Sequence, residues 1–96
     1  MKKEISIILP IHNEKDSLPI MIRLLNSSIK FTKEIIIVYD TEKENALNVA
    51  KELSEEFENV KLIHNTKTKG VKYAVDVGIQ NAKYDVVMIF AVDEIF

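Results

Sequence analysis

Four short apolar runs alternate with three segments of helical period, and this alternation constrains the fold more than any other feature of the chain. The runs are Ile5–Leu9, Glu34–Tyr39, Val60–His64 and Asp85–Ala91. The first, second and fourth are nearly continuous in apolar residues, which is typical of strands covered on both faces. The pattern predicts an α/β fold: a three-layer, Rossmann-like parallel sheet in the order βαβαβαβ, with right-handed crossovers.

Each segment between the runs carries an apolar stripe at helical spacing, which predicts three helices. The stripes lie at Leu18–Leu25, Ala46–Phe57 and Val71–Ala82. The second is preceded by Thr41 and Glu44 in a capping-box pattern, which predicts a helix beginning near Thr41. Only two glycines and two prolines occur, so no linker is expected and residues 1–96 are predicted to form a single domain.

Charge and composition exclude several classes of protein. Thirteen basic residues against fifteen acidic ones give a net charge of −2, whereas a nucleic-acid partner would require a clustered basic excess. The chain has no cysteine, which excludes disulfides and thiolate metal sites. No stretch approaches the roughly 18 apolar residues of a membrane span, and the N-terminal run is too interrupted for a signal peptide. We therefore expect a cytoplasmic domain, which leaves membrane association of a larger parent enzyme open.

Polar residues follow every predicted strand, and these strand exits are the candidate site. Ligands of parallel α/β sheets bind beyond the carboxyl ends of the strands, where the strand order reverses. The exits carry Pro10, His12, Asn13, Glu14, Asp40, Lys69, Gly70, Asp93 and Glu94. Two adjacent carboxylates such as Asp93 and Glu94 either repel each other or share a cation.

A purely structural interpretation stays open for several of these residues. Asn13 and Glu14 could begin the first helix, Asp40 could close a turn, and the lysines near Gly70 could form a solvated face. Two common nucleotide motifs are absent: neither G-x-G-x-x-G nor G-x-x-x-x-G-K-[ST] occurs.

The motifs of the chain resemble those of family 2 glycosyltransferases, which have the GT-A fold. In that family the first strand typically ends in P-x-[YFH]-N-E, which matches Pro10, His12, Asn13 and Glu14. The stretch EIIIVYDTEKENALNVAKEL is similar to the family's second strand, whose nucleotide-contacting aspartate falls on Asp40.

The C-terminal half of the sequence continues this resemblance. The stretch TKGVKYAVDVGIQNAKYDVVMIF resembles the family's glycine-containing third loop and helix, with Gly70 at the family's position. The acidic D-x-D-type motif that follows reads Ala91-Val92-Asp93, so its first acid is missing. The similarity covers essentially all 96 residues and is closest to the dolichol-phosphate mannose synthase and polyprenyl-phosphate branch.

The resemblance implies an enzyme that binds a nucleotide diphosphate sugar, either a UDP-sugar or a GDP-sugar. Asp40 would accept a hydrogen bond from the base, and Lys69 or Lys72 would approach the phosphates. Asp93, helped by Glu94, would bind Mg²⁺ or Mn²⁺, with an affinity weakened by the missing first acid. The reaction would be inverting transfer to a glycan or polyprenyl phosphate.

The resemblance also implies that the catalytic base lies beyond Phe96, so no catalytic residue is assigned. We expect the N-terminal, nucleotide-sugar-binding half of a GT-A fold, truncated after the D-x-D-type strand and inactive alone. The fourth strand should then be an exposed edge beside the first and favour a homodimer or larger oligomer. Two alternatives remain: a non-catalytic nucleotide-binding or regulatory module of the same fold, and a flavodoxin-like interaction domain.

Overall fold

The computed structural model describes residues 3–13 and 15–90. Their helices and strands follow the predicted βαβαβαβ order. In chain order they are β1 (Glu4–Pro10), α1 (Ser17–Ser28), β2 (Thr32–Tyr39), α2 (Leu47–Glu56), β3 (Val60–His64), α3 (Val71–Gln80) and β4 (Val86–Ile89). No helix within the described ranges is long and apolar enough to cross a membrane.

The strands form one parallel sheet in the order β3-β2-β1-β4. The strand β1 is central, with Ile7 paired to Ile35 of β2 and to Met88 of β4. The chain therefore runs outward from β1 to β3 and then returns across the sheet to β4. Because the crossovers are right-handed, the outward and the returning helices must cover opposite faces. The switch in direction occurs at β1, which places a candidate ligand site at its carboxyl end.

Both faces of β1 and β2 are covered, as predicted. Alternating residues of β1 and β2 point to opposite faces. Ile7 and Ile35 pack with α1 and α2 on one face, whereas Ile8 and Ile36 pack with α3 on the other. The helix α3 lies close to β1 at Gly78, where an added Cβ would be only 2.5 Å from Ile8 Cγ2.

The predicted start of α2 is wrong. The helix begins at Leu47, and its N-cap position, Ala46, has no side-chain cap hydrogen bond. The segment before it forms turns instead: the Glu44 N–H donates to the Thr41 carbonyl at 3.1 Å, and the Leu47 N–H donates to the Glu44 carbonyl at 3.2 Å. The Glu44 carboxylate is hydrogen-bonded elsewhere and does not complete the predicted capping box.

The apolar character of the fourth run predicted cover on both faces, and this prediction is wrong, whereas the exposed edge beside the first strand, predicted from the resemblance, is confirmed. The strand spans Val86–Ile89, and the side chains of Val86 and Ile89 are 60% and 50% exposed. The physical reason is that β4 lies at the edge of the described sheet and α3 packs mainly on β1 and β2, although Val87 of β4 still packs against the α3-side cluster. Ala91, the predicted end of the run, lies outside the described residues.

A buried polar cluster closes the amino ends of the strands on the α3 face. Ser6 Oγ donates to Glu34 Oε2 at 2.6 Å, and Lys61 Nζ lies 2.7 Å from Glu34 Oε1. The backbone N–H of Lys83 donates to Glu34, and that of Tyr84 donates to Ser6 Oγ at 3.1 Å. The cluster thus joins β1, β2, β3 and the segment leading into β4.

The pKa of Glu34 reflects this setting. Burial alone raises the pKa, but the hydrogen bonds from Lys61, Ser6 and the Lys83 backbone, with the attraction of the Lys61 charge, outweigh burial. The pKa of Glu34 therefore lies below its ordinary value, and the carboxylate is charged at neutral pH.

Candidate functional site

A cleft of about 780 Å³ opens at the carboxyl ends of β1 and β2, beside the N-terminus of α3. Its walls contain most of the residues predicted from the sequence: Pro10, His12, Asn13, Asp40, Lys69 and Gly70. Among the described residues, Ile11, Thr41, Val71 and Ala74 also line it. The predicted site residues Glu14 and Asp93, and the helper Glu94, lie outside the described residues.

The first wall of the cleft is the segment that follows β1. The sheet ladder continues one residue past Pro10, since the Ile11 N–H donates to the Val38 carbonyl at 3.0 Å. Asn13 then takes a left-handed backbone conformation with φ of 61°, which asparagine tolerates better than most residues. This turn presents His12 and Asn13 to the cleft, and their side chains approach each other at 3.3 Å.

Asp40 connects the exit of β2 to the loop that precedes α3. Its Oδ1 accepts from Asn65 Nδ2 at 2.7 Å, and its Oδ2 accepts from the Gly70 N–H at 3.0 Å. Gly70 has φ of 128°, a backbone conformation that side chains with a Cβ rarely adopt. Each carboxylate oxygen can accept more than one hydrogen bond, so Asp40 can hold this loop and still receive a ligand donor.

Asn65 organises the same loop and was missed as a site residue by the sequence reasoning. It is fully buried, and its side-chain amide also donates to the Thr68 carbonyl at 3.0 Å, while Oδ1 accepts from the Lys67 N–H at 3.1 Å. The available signal was its position, because an asparagine directly after a strand favours a turn closed by its own side chain.

Glu44 was also misassigned, as a helix cap. Its side chain is buried, and both carboxylate oxygens lie 2.9 Å from the backbone nitrogen of Asn13. Its Oε2 accepts a second hydrogen bond, from the Ala46 N–H at 2.8 Å. Glu44 therefore joins the β2–α2 loop to the wall formed by Asn13. No pattern in the sequence distinguished this long-range contact from a local cap.

The positive end of α3 lies at the cleft. Gly70 occupies the N-cap position of this ten-residue helix, and Gly70 and Val71 both line the cleft. Free backbone N–H groups and the helix dipole make such an end favourable for anions. The side chain of Lys69 adds a formal positive charge there, whereas Lys67 Nζ lies against Gln80 Oε1 at 3.4 Å.

Within residues 3–13 and 15–90, no three His, Asp or Glu side chains come together as a metal-binding group. Among the described residues, Asp40 is the carboxylate that lines the cleft, and both its oxygens already accept hydrogen bonds from the β3–α3 loop. The described residues alone therefore do not fit a cation. The predicted ligand, Asp93, is not among them.

Comparison with known proteins gives a consistent result. The model of the family described as glycosyl transferase family 2 matches residues 6–96. Dolichol-phosphate mannosyltransferase of Pyrococcus furiosus is 31% identical over 91 residues, which are 94% of this chain and 26% of that protein. Undecaprenyl-phosphate 4-deoxy-4-formamido-L-arabinose transferase of Pseudomonas fluorescens is 28% identical over 93 residues, covering 93% of this chain and 27% of that protein.

A solved structure shares the fold. The mannosyltransferase PcManGT of Pyrobaculum calidifontis, in complex with GDP-Man and Mn²⁺, superposes with a TM-score of 0.83 at 15% identity, over 97% of this chain and 28% of that one. This likeness confirms the predicted GT-A-type architecture. The chain spans 26–27% of the length of the two sequence relatives.

Proposed function

Because the chain belongs to glycosyl transferase family 2, we propose that its cleft binds the nucleotide diphosphate of a sugar donor. The family and the dolichol-phosphate mannose synthase-like branch predicted from the sequence are confirmed. The observation that carries the proposal is the meeting of Asp40, Lys69 and Gly70 in one cleft at the carboxyl edge of the sheet. This arrangement offers an acceptor for a base and a positive region for phosphates within one site.

Each part of the nucleotide has a counterpart in the cleft. The volume of about 780 Å³ lies within the roughly 300–1,000 Å³ of small-molecule sites. The free lone pairs of Asp40 can accept from a ring N–H of uracil or guanine. Lys69 and the N-terminus of α3 can bind the diphosphate, since both favour negative charge.

The names of the related proteins suggest which donor and acceptor to test first. GDP-Man is the ligand named for the Pyrobaculum structure, so we propose a GDP-sugar as the donor, with a UDP-sugar as the alternative. The names of the two sequence relatives include dolichol phosphate and undecaprenyl phosphate. We therefore propose a polyprenyl phosphate as the acceptor in preference to a glycan.

The proposed reaction is direct displacement with inversion. An acceptor oxygen forms the new bond to the anomeric carbon of the sugar while the bond from that carbon to the diphosphate oxygen breaks. The leaving nucleoside diphosphate takes the electron pair, and a basic carboxylate takes any proton released by the acceptor. We assign no base among the described residues.

We propose Asp93 as the carboxylate that would bind Mg²⁺ or Mn²⁺. A bound divalent cation would stabilise the negative charge of the leaving diphosphate as a Lewis acid. The support is the D-x-D-type position of Asp93 in the sequence and the Mn²⁺ named for the Pyrobaculum structure.

Titration calorimetry with GDP and UDP, with and without Mn²⁺, tests the proposal. We expect the wild-type protein to bind one of the two diphosphates, and Mn²⁺ to tighten that binding. Asp40→Asn should weaken binding in both conditions, whereas Asp93→Ala should remove only the Mn²⁺ effect. No binding of either diphosphate would contradict the proposed function, and an Mn²⁺ effect that persists in Asp93→Ala would contradict the metal assignment alone.

We also propose that the protein self-associates through β4. The exposed apolar side chains of Val86, Met88 and Ile89 carry no charge that would block pairing of this edge with a second copy. Light scattering at micromolar concentration should detect a dimer, and Met88→Lys should weaken it. A wild-type monomer at high concentration would contradict this proposal and leave the nucleotide proposal unaffected.

A further inference from the structure

We propose that Glu44 is a positioning residue, which shapes the binding cleft through the backbone of Asn13. Asn13 lines the cleft, and Glu44 does not. The inference rests on the proposed function for its effect on ligand affinity. The contact itself does not depend on that function, so the two can be tested apart.

The geometry makes Glu44 a bridge between two loops. Its carboxylate accepts the Asn13 N–H with both oxygens at 2.9 Å, across 31 positions of the chain. The same Oε2 accepts the Ala46 N–H at 2.8 Å, and Ala46 is itself fully buried in the α2 side of the core. One end of the bridge is thus fixed to the core, and the other end holds the wall of the cleft.

The burial of Glu44 makes these hydrogen bonds strong. The residue is only 8% exposed, and a buried carboxylate is costly unless hydrogen-bond donors replace its water. Hydrogen bonds to a charged acceptor are roughly twice as strong as neutral ones. The carboxylate therefore has a strong preference for the arrangement in which the Asn13 N–H points at it.

Asn13 needs such support. Its φ of 61° is a left-handed conformation, which is unfavourable for a residue with a Cβ, and asparagine lowers this cost without removing it. Without the Glu44 carboxylate, the Asn13 N–H loses its acceptor and the backbone is free to relax to negative φ. Such a change would alter the backbone of His12 and Asn13, both of which line the cleft.

The Glu44 side chain stabilises the wall of the cleft at Asn13 more than it stabilises the sheet. Its side-chain hydrogen bonds go to Asn13 and Ala46, both outside the strands and helices. The helix α2 begins with its own backbone bond, from the Ala50 N–H to the Ala46 carbonyl at 2.8 Å. Loss of the carboxylate should therefore weaken ligand affinity more than it lowers the stability of the fold.

The experiment compares four single variants for three quantities: the Kd for GDP, the free energy of unfolding, and the hydrogen-exchange rate of the Asn13 amide. Glu44→Ala removes the bridge. Glu44→Gln keeps one oxygen that can accept from both amides. Glu42→Ala is the matched control, because Glu42 is an exposed acid of the same loop. Ser6→Ala is a stability control at the opposite end of the sheet.

We expect Glu44→Ala to weaken GDP binding about tenfold and to accelerate hydrogen exchange of the Asn13 amide by about the same factor. This is the effect expected from the loss of one hydrogen bond to a charged group. Glu44→Gln should fall between Glu44→Ala and wild type. Glu42→Ala should match the wild type in all three quantities. Ser6→Ala should lower stability and leave the Kd within about twofold.

Unchanged Asn13 exchange in Glu44→Ala would overturn the inference, as would a Kd equal to that of Glu42→Ala. If Glu44→Ala does not fold, the inference is tested with Glu44→Gln. A Kd for GDP and an Asn13 exchange rate equal to those of the wild type would then overturn it. If wild-type protein binds neither GDP nor UDP, the proposed function fails, and Asn13 exchange alone decides whether Glu44 holds this wall.

Discussion

Carboxylates accept hydrogen bonds at both ends of the sheet, but they connect different parts of the chain at each end. At the amino end, Glu34 accepts hydrogen bonds from Ser6 and from the backbone of Lys83, and pairs with Lys61. At the carboxyl end, Asp40 and Glu44 accept backbone N–H groups from distant loops. Glu34 lies within β2, whereas Asp40 and Glu44 lie in the loop that follows this strand. Glu34 therefore connects neighbouring strands, whereas Asp40 and Glu44 connect the loops that form the cleft.

This difference predicts that stability and ligand binding can be separated by mutation. Ser6 and Glu34 of the amino-end cluster are buried, and within the described residues the hydrogen bonds and the ion pair of the cluster go to residues that do not line the cleft. Variants at the amino end should therefore change the free energy of unfolding, and variants at the carboxyl end should change affinity for a nucleotide diphosphate.

The largest loss of stability should come from Glu34→Ala. It removes the acceptor of Ser6 and of the Lys83 N–H and leaves Lys61 without its partner. We expect a decrease in the free energy of unfolding of about 2–3 kcal/mol, below the loss typical of a fully buried ion pair because Lys61 is half exposed. Urea denaturation measures the change, with Glu42→Ala as control. A loss equal to that of the control would contradict the role given to the cluster.

Gly78→Ala should disturb both ends at once, because α3 begins at the cleft and packs on β1. The added Cβ would lie 2.5 Å from Ile8 Cγ2, so the Ile8 side chain or α3 must shift, at a cost of about 1–3 kcal/mol. A shift of α3 should also lower GDP affinity, because Gly70 lies at the start of this helix and lines the cleft. In a double-mutant cycle with Ile8→Ala, the two losses should be less than additive, and strict additivity would contradict the contact.

The smallest expected effect is the dependence of stability on pH through Glu34. Its pKa is lower in the folded protein than the ordinary value of 4.5. The stability it contributes is therefore fully present above that value and is lost as the pH falls through the lower folded pKa. The stability difference between wild type and Glu34→Gln, measured by urea denaturation, should shrink below pH 4.5. A difference that stays constant through this range would contradict the assignment.

The sequence predicted the parts of this comparison that depend on periodicity and chain order. The apolar runs of β1 and β2 were recognisable because a buried parallel strand is apolar on both faces. The convergence of His12, Asp40 and Gly70 followed from the rule that parallel strands end at one edge. These features depend on local pattern and topology alone.

The sequence did not predict contacts that depend on loop conformation. The pairing of Glu44 with Asn13 requires a left-handed residue and a series of turns, neither of which has a periodic signal. The same holds for the buried amide of Asn65, and for Glu34, which the sequence reasoning treated as the first residue of a strand. The apolar run of β4 alone predicted cover on both faces, because an apolar run has the same appearance at the edge of a sheet as at its centre. The exposed edge beside β1 was predicted from the resemblance, and the structure confirms it.

Mapping nucleotide binding onto individual backbone amides tests the central claim most directly. In ¹⁵N-resolved NMR spectra, addition of GDP or UDP should shift the amide signals of Asn13, Asp40 and Gly70 at the carboxyl end. The signals of Ser6 and Tyr84 at the amino end should stay in place. Shifts confined to the amino end, or no shift with either diphosphate at millimolar concentration, would contradict the assignment of the cleft as the nucleotide site.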